Sequence, residues 1–323
     1  MYDELRLRKQ TREELVKRFD ASETAFLERE LTVIRRKVFE VQYADLLAKK
    51  FMPLATDIPP SAETYVYGVY DKSGRAKVIA NGSVDLPRVD VIKSEVTGKV
   101  REIGDSYGWD ITSMREAARV GAPLTEMKAK AARTAIETLT DKMLFDGKDH
   151  DGTSFGVTGI ANNADVISQG IVNPVSDPWL ITMDPALILA DLNSSVATMV
   201  AASLQKWLPD TLLLAPREFA IIVATRVSVY SDATILQSFL KTNPYIKNID
   251  QWHRLTGAGA GGLNRGIAYK RDPEVLEGVV PLDFEQLPPQ ARGLEFVVPC
   301  HARCGGVKVY QPGAMRYIDF ATS

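Results

Sequence analysis

Residues 122–163, APLTEMKAKAARTAIETLTDKMLFDGKDHDGTSFGVTGIANN, decide the architecture of this chain. Pro123 suits the first turn of a helix, where its missing N–H is not needed. From Leu124 to Phe145 there is neither Gly nor Pro, and Ala, Lys, Glu, Leu and Met carry high helix propensity. Met127, Ala131, Ala135, Leu139 and Met143 recur four apart, with Leu124, Ala132 and Ile136 beside them. This predicts an apolar stripe on a helix of about six turns. Lys128, Lys130, Arg133, Glu137 and Lys142 supply a wetter face, and Gly147 ends the helix in the left-handed conformation common at C-termini. Much of the stripe is Ala, so its partner, a sheet or another helix, packs close. A rod of this kind organises architecture.

The 323 residues can bury a large core in two or three lobes. A composition of 45% hydrophobic and 25% charged residues is that of a soluble globular protein, and a formal net charge of −2 gives no bulk basic character for tight nucleic-acid binding. Two cysteines, Cys300 and Cys304, are too few for a disulfide framework and suggest a reducing compartment. The amino terminus, MYDELRLRKQTREE, is charged from residue 3 onward, unlike a secretory signal. No window approaches 18 uncharged apolar residues, so no transmembrane helix is expected. The glycosylation patterns at Asn81 and Asn193 are irrelevant without export.

Residues 1–22 mix charges of both signs and read as an arm or loose helix without a core of its own. A helix follows from about residue 25 to Lys50, with Phe26, Leu27, Leu31, Ile34, Val38, Val41 and Leu46 on one side, and Pro53 ends it. From Glu63 the period changes. TYVYGVYD (64–71) is strand-like, Lys72-Ser73-Gly74 reads as a turn, AKVIA follows, and Asn81-Gly82 is a hairpin dipeptide. SVDLPRVDVIKSEVTGKVREIG continues as extended alternation. Such a long hairpin, poor in apolar core, needs a partner surface. Trp109–Gly121 reads as a short helix leading to the rod. Residues 165–183 read as irregular, Asp184–Leu208 as an amphipathic helix and TLLLAP (211–216) as a buried strand. PREFAIIVATRV and SDATILQSFLKTNPYI read as helices, IKNIDQWHRL as a strand and GAGAGG as a flexible loop. GIAYKRD, LEGVVPLDF, GLEFVVPCHARCGGVKVYQP and AMRYIDF supply the final strands. Without regular βαβ alternation the class is α+β.

Each motif that could carry chemistry has a plainer explanation. Gly257, Gly259 and Gly262 match a dinucleotide-loop spacing, but no buried strand precedes them and no helix follows to hold a pyrophosphate. Cys300, His301 and Cys304 lack a fourth zinc ligand, His150 and His253 being isolated in sequence, and their alternation is that of a strand. Asp146, Asp149 and Asp151 with Gly152 resemble part of a calcium loop, yet Ile160 stands where the closing Glu belongs. No nucleophile elbow, phosphate-cradling Lys motif or His-x-x-x-His pair occurs. The reading therefore assigns no catalytic, cofactor-binding or metal residues, and no cofactor.

The order of parts is distinctive even so. FLERELTVIRRKVFEVQYADLLAKKFMPLA resembles a helical arm, TYVYGVYDKSGRAKVIANGSVDLPRVDV an extended loop, and ITSMREAARVGAPLTEMKAKAARTAIETLTDKMLFDG a spine helix with its lead-in. With GVTGIANN and GGVKVYQPGAMRYID, this succession resembles the major capsid proteins of tailed bacteriophages, the Hong Kong 97-type fold. The resemblance covers most of residues 24–320, the stretch 185–290 matching by layout more than by motif. It implies an N-terminal arm over 1–50, an extended loop over 62–108 and a peripheral domain over 109–184 with a spine helix at 123–146. An axial domain over 185–290 and returning strands over 291–323 complete it.

The resemblance also implies a shell protein that encloses double-stranded DNA and meets its own copies in pentamers and hexamers. It implies a separate scaffolding protein (or an already trimmed chain), a portal, non-specific contact with packaged DNA, no membrane, and assembly in the host bacterial cytoplasm. Lys72, Lys77, Asn162 and Asn163 are the residue types that some members cross-link, but no local signature marks an activating Glu. Two alternatives stand beside this reading. One is an encapsulin-type shell around protein cargo; the other is a soluble enzyme using GAGAGG and the Cys300–Cys304 region.

Overall fold

The chain enters the described fold through a single helical turn, Ala48–Phe51, closed by extended Met52 and by Pro53, which disfavours helix in the residue before it. The computed structural model describes residues 45–74, 88–120, 124–170, 179 and 183–320. The expected arm and helix over 1–44, the AKVIA run with Asn81-Gly82, and Pro123 lie outside these. Three long strands follow: β1 (Thr64–Ser73), β2 (Asp90–Lys99) and β3 (Arg101–Asp110). Helices α1 (Ile111–Val120) and α2 (Leu124–Asp146) lead to β4 (Ile167–Gly170) and α3 (Pro185–Ala202). Next come β5 (Thr211–Leu214), α4 (Pro216–Ala224), β6 (Arg226–Ser228), β7 (Ser231–Thr234) and α5 (Ile235–Thr242). The strands β8 (Asn248–Gln251), β9 (Asn264–Tyr269), β10 (Leu276–Val279), β11 (Leu282–Gln286) and β12 (Gln290–Arg292) precede β13 (Glu295–Cys304), β14 (Gly306–Val309) and β15 (Met315–Phe320).

A mixed five-stranded sheet in the order β4-β15-β9-β5-β8 is the wall between two cores. Side chains alternate across it, as the pleat requires. Leu213, Ile267, Tyr269, Met315 and Tyr317 face the core that contains α2. Leu212, Leu214, Ala268, Ile318 and Phe320 face the core built by α3, α4 and α5. A second sheet, in which β13 pairs with β3 on one side and with β11 and β12 on the other, carries α2 across it. The class is α+β, as the sequence implies.

The helix α2 has the expected length and stop, but its buried face is rotated. Ala132, Ile136, Thr140, Met143 and Leu144 are buried, whereas Met127 is 43% exposed and Ala131 and Ala135 lie on the open side. Thr140 is compatible with burial because its hydroxyl donates to Ile136 O at 2.9 Å. Gly147 has φ +67°, and a Cβ there would collide with Val157 O. The following GVTGIANN folds back over the helix end. Ile160 N–H donates to Leu144 O and Ala161 N–H to Phe145 O, both at 2.9 Å, and the Asn162 amide donates to Asp146 O. Carbonyls that a helix terminus leaves unpaired are thereby satisfied.

Several boundaries differ from the expected ones, each for a local reason. Lys72 and Ser73 stay in β1, paired with Val91 and Asp90, so no turn forms there. Trp109 and Asp110 belong to β3, and Asp110 caps α1 by accepting from Ser113 N–H at 3.0 Å. Residues 167–170, expected to be irregular, form β4 parallel to β15. The helix expected to reach Leu208 ends at Ala202, because Leu204 and Gln205 turn left-handed (φ +50° and +63°). The next helix stops at Ala224, and Arg226 starts a strand. Ser231–Thr234 is a strand, and α5 begins only after Thr234, which closes a capping box with Gln237. Within IKNIDQWHRL only Asn248–Gln251 is strand, and His253–Leu255 is a 3-10 turn.

By length and mean hydropathy (1.4), α3 would suffice to cross a membrane. It instead lays Ile188, Leu192, Val196 and Met199 on the sheet, with buried Asp191 accepting from Trp179 Nε1 at 3.1 Å.

Candidate assembly surfaces

The hairpin of β1 and β2 pairs antiparallel from Thr64↔Lys99 to Ser73↔Asp90. Its Tyr, Val and Ile content favours strand, yet among the described residues no second layer covers most of it. Val66, Tyr70, Val91 (53%) and Ile92 (58%) are exposed, as are Val69 and Val96. Only its root is packed. The Tyr65 ring lies against Gly98, where a Cβ would collide with it. Tyr67 meets Tyr310 edge-on at 5.0 Å, and Lys308 Nζ stands 4.3 Å from the Tyr67 ring centre. Tyr310 donates to Glu277 Oε2 at 2.9 Å. Burial pushes the Tyr65 phenol up to about 12 and draws the Lys308 ammonium below its ordinary value. Below the root, Arg101 donates to Phe155 O through Nε (2.9 Å) and Nη2 (2.7 Å), and Val100 N–H closes onto Glu63 O at 2.8 Å. A seated root carries an apolar, unpartnered blade.

A second apolar projection is the turn between β6 and β7, where Val229 and Tyr230 are fully exposed.

The body holding these parts is tied by buried polar groups. Asp141 accepts from Ala48 N–H at 2.8 Å and from Arg254 Nε at 2.6 Å, joining α2 to the entering chain. Arg265 grips both Asp319 oxygens (2.7 and 2.9 Å), donates to Ala161 O at 2.6 Å, and stacks 4.4 Å from the Tyr317 ring. Ser168 adds a bond to Asp319 at 2.7 Å, and Tyr317 OH donates to Ile160 O at 2.7 Å.

The residues singled out for chemistry fall apart spatially. Cys300, Ala302 and Cys304 point inward from β13, while His301 points outward between Glu102 (3.1 Å) and Glu285 (3.0 Å), which meet opposite ring nitrogens. Burial raises the Cys304 thiol to about 11, so it is no ready metal ligand. Gly257, Gly259 and Gly262 form hydrogen-bonded turns: Gly259 N–H donates to Leu263 O at 2.8 Å, and Gly257 N–H to Asn264 Oδ1 at 3.0 Å. A Cβ at Gly259 would press on Asp319, so this segment packs on the body. Asp149 closes a tight turn by accepting from Gly152 N–H. Among the described residues no three His, Cys, Asp or Glu converge as a metal set. Lys72 lies in β1, Asn162 caps α2, Asn163 N–H donates to Tyr317 OH, and Lys77 lies outside the described residues. The open cleft beside His301, about 590 Å³, is lined by Glu102, Asp105, Ser106, Leu287, Pro299 and Cys300, and the Cys300 thiol donates to Val298 O at 3.9 Å. Sequence reading missed the Arg265–Asp319 tie and the Val229-Tyr230 tip. Only the unusual Val-Tyr pair in a tight turn signalled the latter.

A seated blade, a spine helix across a sheet and a second lobe behind a shared wall define the Hong Kong 97-type shell fold. Solved structures agree. The capsid of Myoviridae phage XM1 superposes with a TM-score of 0.79 at 13% identity, over 90% of this chain and 97% of that one. Gordonia phage Cozz gives 0.61 at 12%, over 91% and 93%, and the capsid of an empty GTA particle gives 0.60 at 10%, over 90% and 95%. No curated protein sequence matches. Residues 74–320 match the major capsid protein family, and the chain belongs to that family. It is a structural subunit that self-assembles into a virion capsid shell.

Proposed function

We propose that this subunit builds an icosahedral shell around a double-stranded DNA genome, with each hairpin gripping a neighbouring copy. The observation that carries this is the blade itself, whose apolar side chains are exposed and find no cover among the described residues. Residues 1–50 serve as an arm over neighbours and 62–108 as the extended loop. Residues 109–184 form the peripheral domain, 185–290 the axial domain whose tips meet at five- and six-fold axes, and 291–323 the strands returning to both. A separate scaffolding protein sets curvature and a portal admits DNA, within the host bacterial cytoplasm. Contact with DNA is weak and non-specific, in keeping with a net charge of −2. The chain itself performs no catalysis, a reading that membership of the major capsid protein family supports.

The test is negative-stain microscopy of the purified chain and of a variant with residues 78–86 deleted. Closed particles from the intact chain, and folded but unassembled subunits from the deletion, are expected. Equal particle yields would remove the hairpin from this role. Particles that carry protein cargo and neither portal nor DNA would favour the nanocompartment reading.

A further inference from the structure

The fold buries two arginines on adjacent strands and treats them differently. Arg265 on β9 has its donors occupied by Asp319 and Ala161 O and its face by Tyr317. Arg316 on β15 is just as deep, 7% exposed, yet its Nη1 is buried and finds no hydrogen-bond partner among the described residues. Alternation along β15 puts its side chain on the same face as Ile318, beneath α3, with Ile167 of β4 and Ala268 of β9 as its strand neighbours.

No carboxylate among the described residues of that face answers it. Asp191 is held by Trp179, which packs on Phe320, and Glu218 holds Asn264, the register partner of Phe320. Both are thus engaged at the Phe320 end of β15, four residues on from Arg316. At the near end Asp210 accepts from Thr211 and Arg271, and Asp272 pairs with Lys270. Burial alone draws the guanidinium below its ordinary value. A buried donor without an acceptor carries its desolvation cost uncompensated, so Nη1 is retained at a loss unless a partner arrives.

We infer that Arg316 is a socket for a carboxylate side chain of a second copy of this chain, so that assembly completes an ion pair which the lone subunit leaves open. The route is the edge of the sheet: β4 is its outermost strand, and Ile167 beside Arg316 is exposed. Only a slender side chain reaches a group this deep. At 7% exposure Arg316 is more readily met by a protruding side chain than by a phosphate fixed on a bulky nucleic-acid backbone, which favours a protein partner over packaged DNA.

This inference rests on self-assembly of the chain, and one pair of measurements on the full chain separates the two. Arg316→Met replaces an unpaired buried cation by an apolar side chain of similar length. Below the assembly concentration, its subunit is expected to melt at the same temperature as the parent or higher. Its shells, followed by light scattering and microscopy, are expected to need a concentration raised at least about tenfold. A subunit strongly destabilised by Arg316→Met would show the cation already paired within its own chain and overturn the inference. Unchanged assembly of Arg316→Met, with the parent forming shells, would overturn it too, whereas a parent that forms no shells refutes the self-assembly reading itself. Sensitivity of assembly to added DNA in the parent but not in the variant would move the partner to nucleic acid and also overturn it.

Discussion

Leu204 and Gln205 hold φ +50° and +63°, a region where a side chain costs on the order of 1 kcal/mol per residue. Gln205 is exposed, so its side chain has little packing to lose. Gln205→Gly should therefore raise the urea midpoint by the equivalent of about 1 kcal/mol; an unchanged or lowered midpoint would show that the side chain compensates for the strain. The opposite sign belongs to Asp319. Removing it in Asp319→Ala leaves Arg265 buried and unpaired, and a loss of about 3–5 kcal/mol is expected in the same urea titration. The double variant Arg265→Met/Asp319→Leu should recover most of that loss. A third residue-scale effect concerns alkali. Burial raises the phenols of Tyr65 (to about 12), Tyr269, Tyr310 and Tyr317 above their ordinary 10.0. The unfolded chain then releases phenolic protons first, so stability falls as pH rises above about 10 and the loss continues to the folded values. Tyr317→Phe should flatten that fall in a pH series of melting temperatures, and an identical slope would contradict the burial. None of these ties was legible in the sequence, because each joins residues far apart in the chain or depends on a backbone angle.

The helix α2 was legible in extent and not in phase. Its uninterrupted helix formers and Gly147 gave both ends, but a stripe counted by residue type treats Ala131 and Ala135 as core. The real face includes Thr140 and Asp141, whose polar atoms are satisfied by Ile136 O and by Ala48 N–H with Arg254. Polar side chains with distant partners look like solvent-facing ones until the fold is known. A tryptophan scan distinguishes the two phases. Ala132→Trp overpacks a position that is 4% exposed and should cost about 1–3 kcal/mol or more. Ala135→Trp, on the open side, should stay within about 0.5 kcal/mol in the subunit. Equal melting of the two variants would contradict the buried face assigned to α2. Boundary errors elsewhere have the same origin, since Thr234 and Asp110 were caps hidden inside runs that looked continuous.

For the whole molecule, the sequence carried the succession of long strands, spine helix, further helices and returning strands, since each has its own local period; the expected arm lies outside the described residues. It did not carry which strands meet. The separation of folding from assembly is testable at this scale. Val91→Asp with Ile92→Asp places charges on the exposed blade and should leave the melting temperature of the subunit within a few degrees while abolishing closed particles. Particles of normal yield from that variant would show that the blade makes no contact in the shell.

The dividing wall has a consequence for biosynthesis. Its second strand, Met315–Phe320, is the last described element of the chain, yet Met315 and Tyr317 plug one interior while Ile318 and Phe320 plug the other. Neither interior can be sealed while the ribosome is still making the polypeptide upstream of residue 315, however early the helices form. A nascent chain is thereby kept from presenting a finished surface to its neighbours until this strand has left the ribosome, so that translation itself acts as a timer on entry into a growing particle.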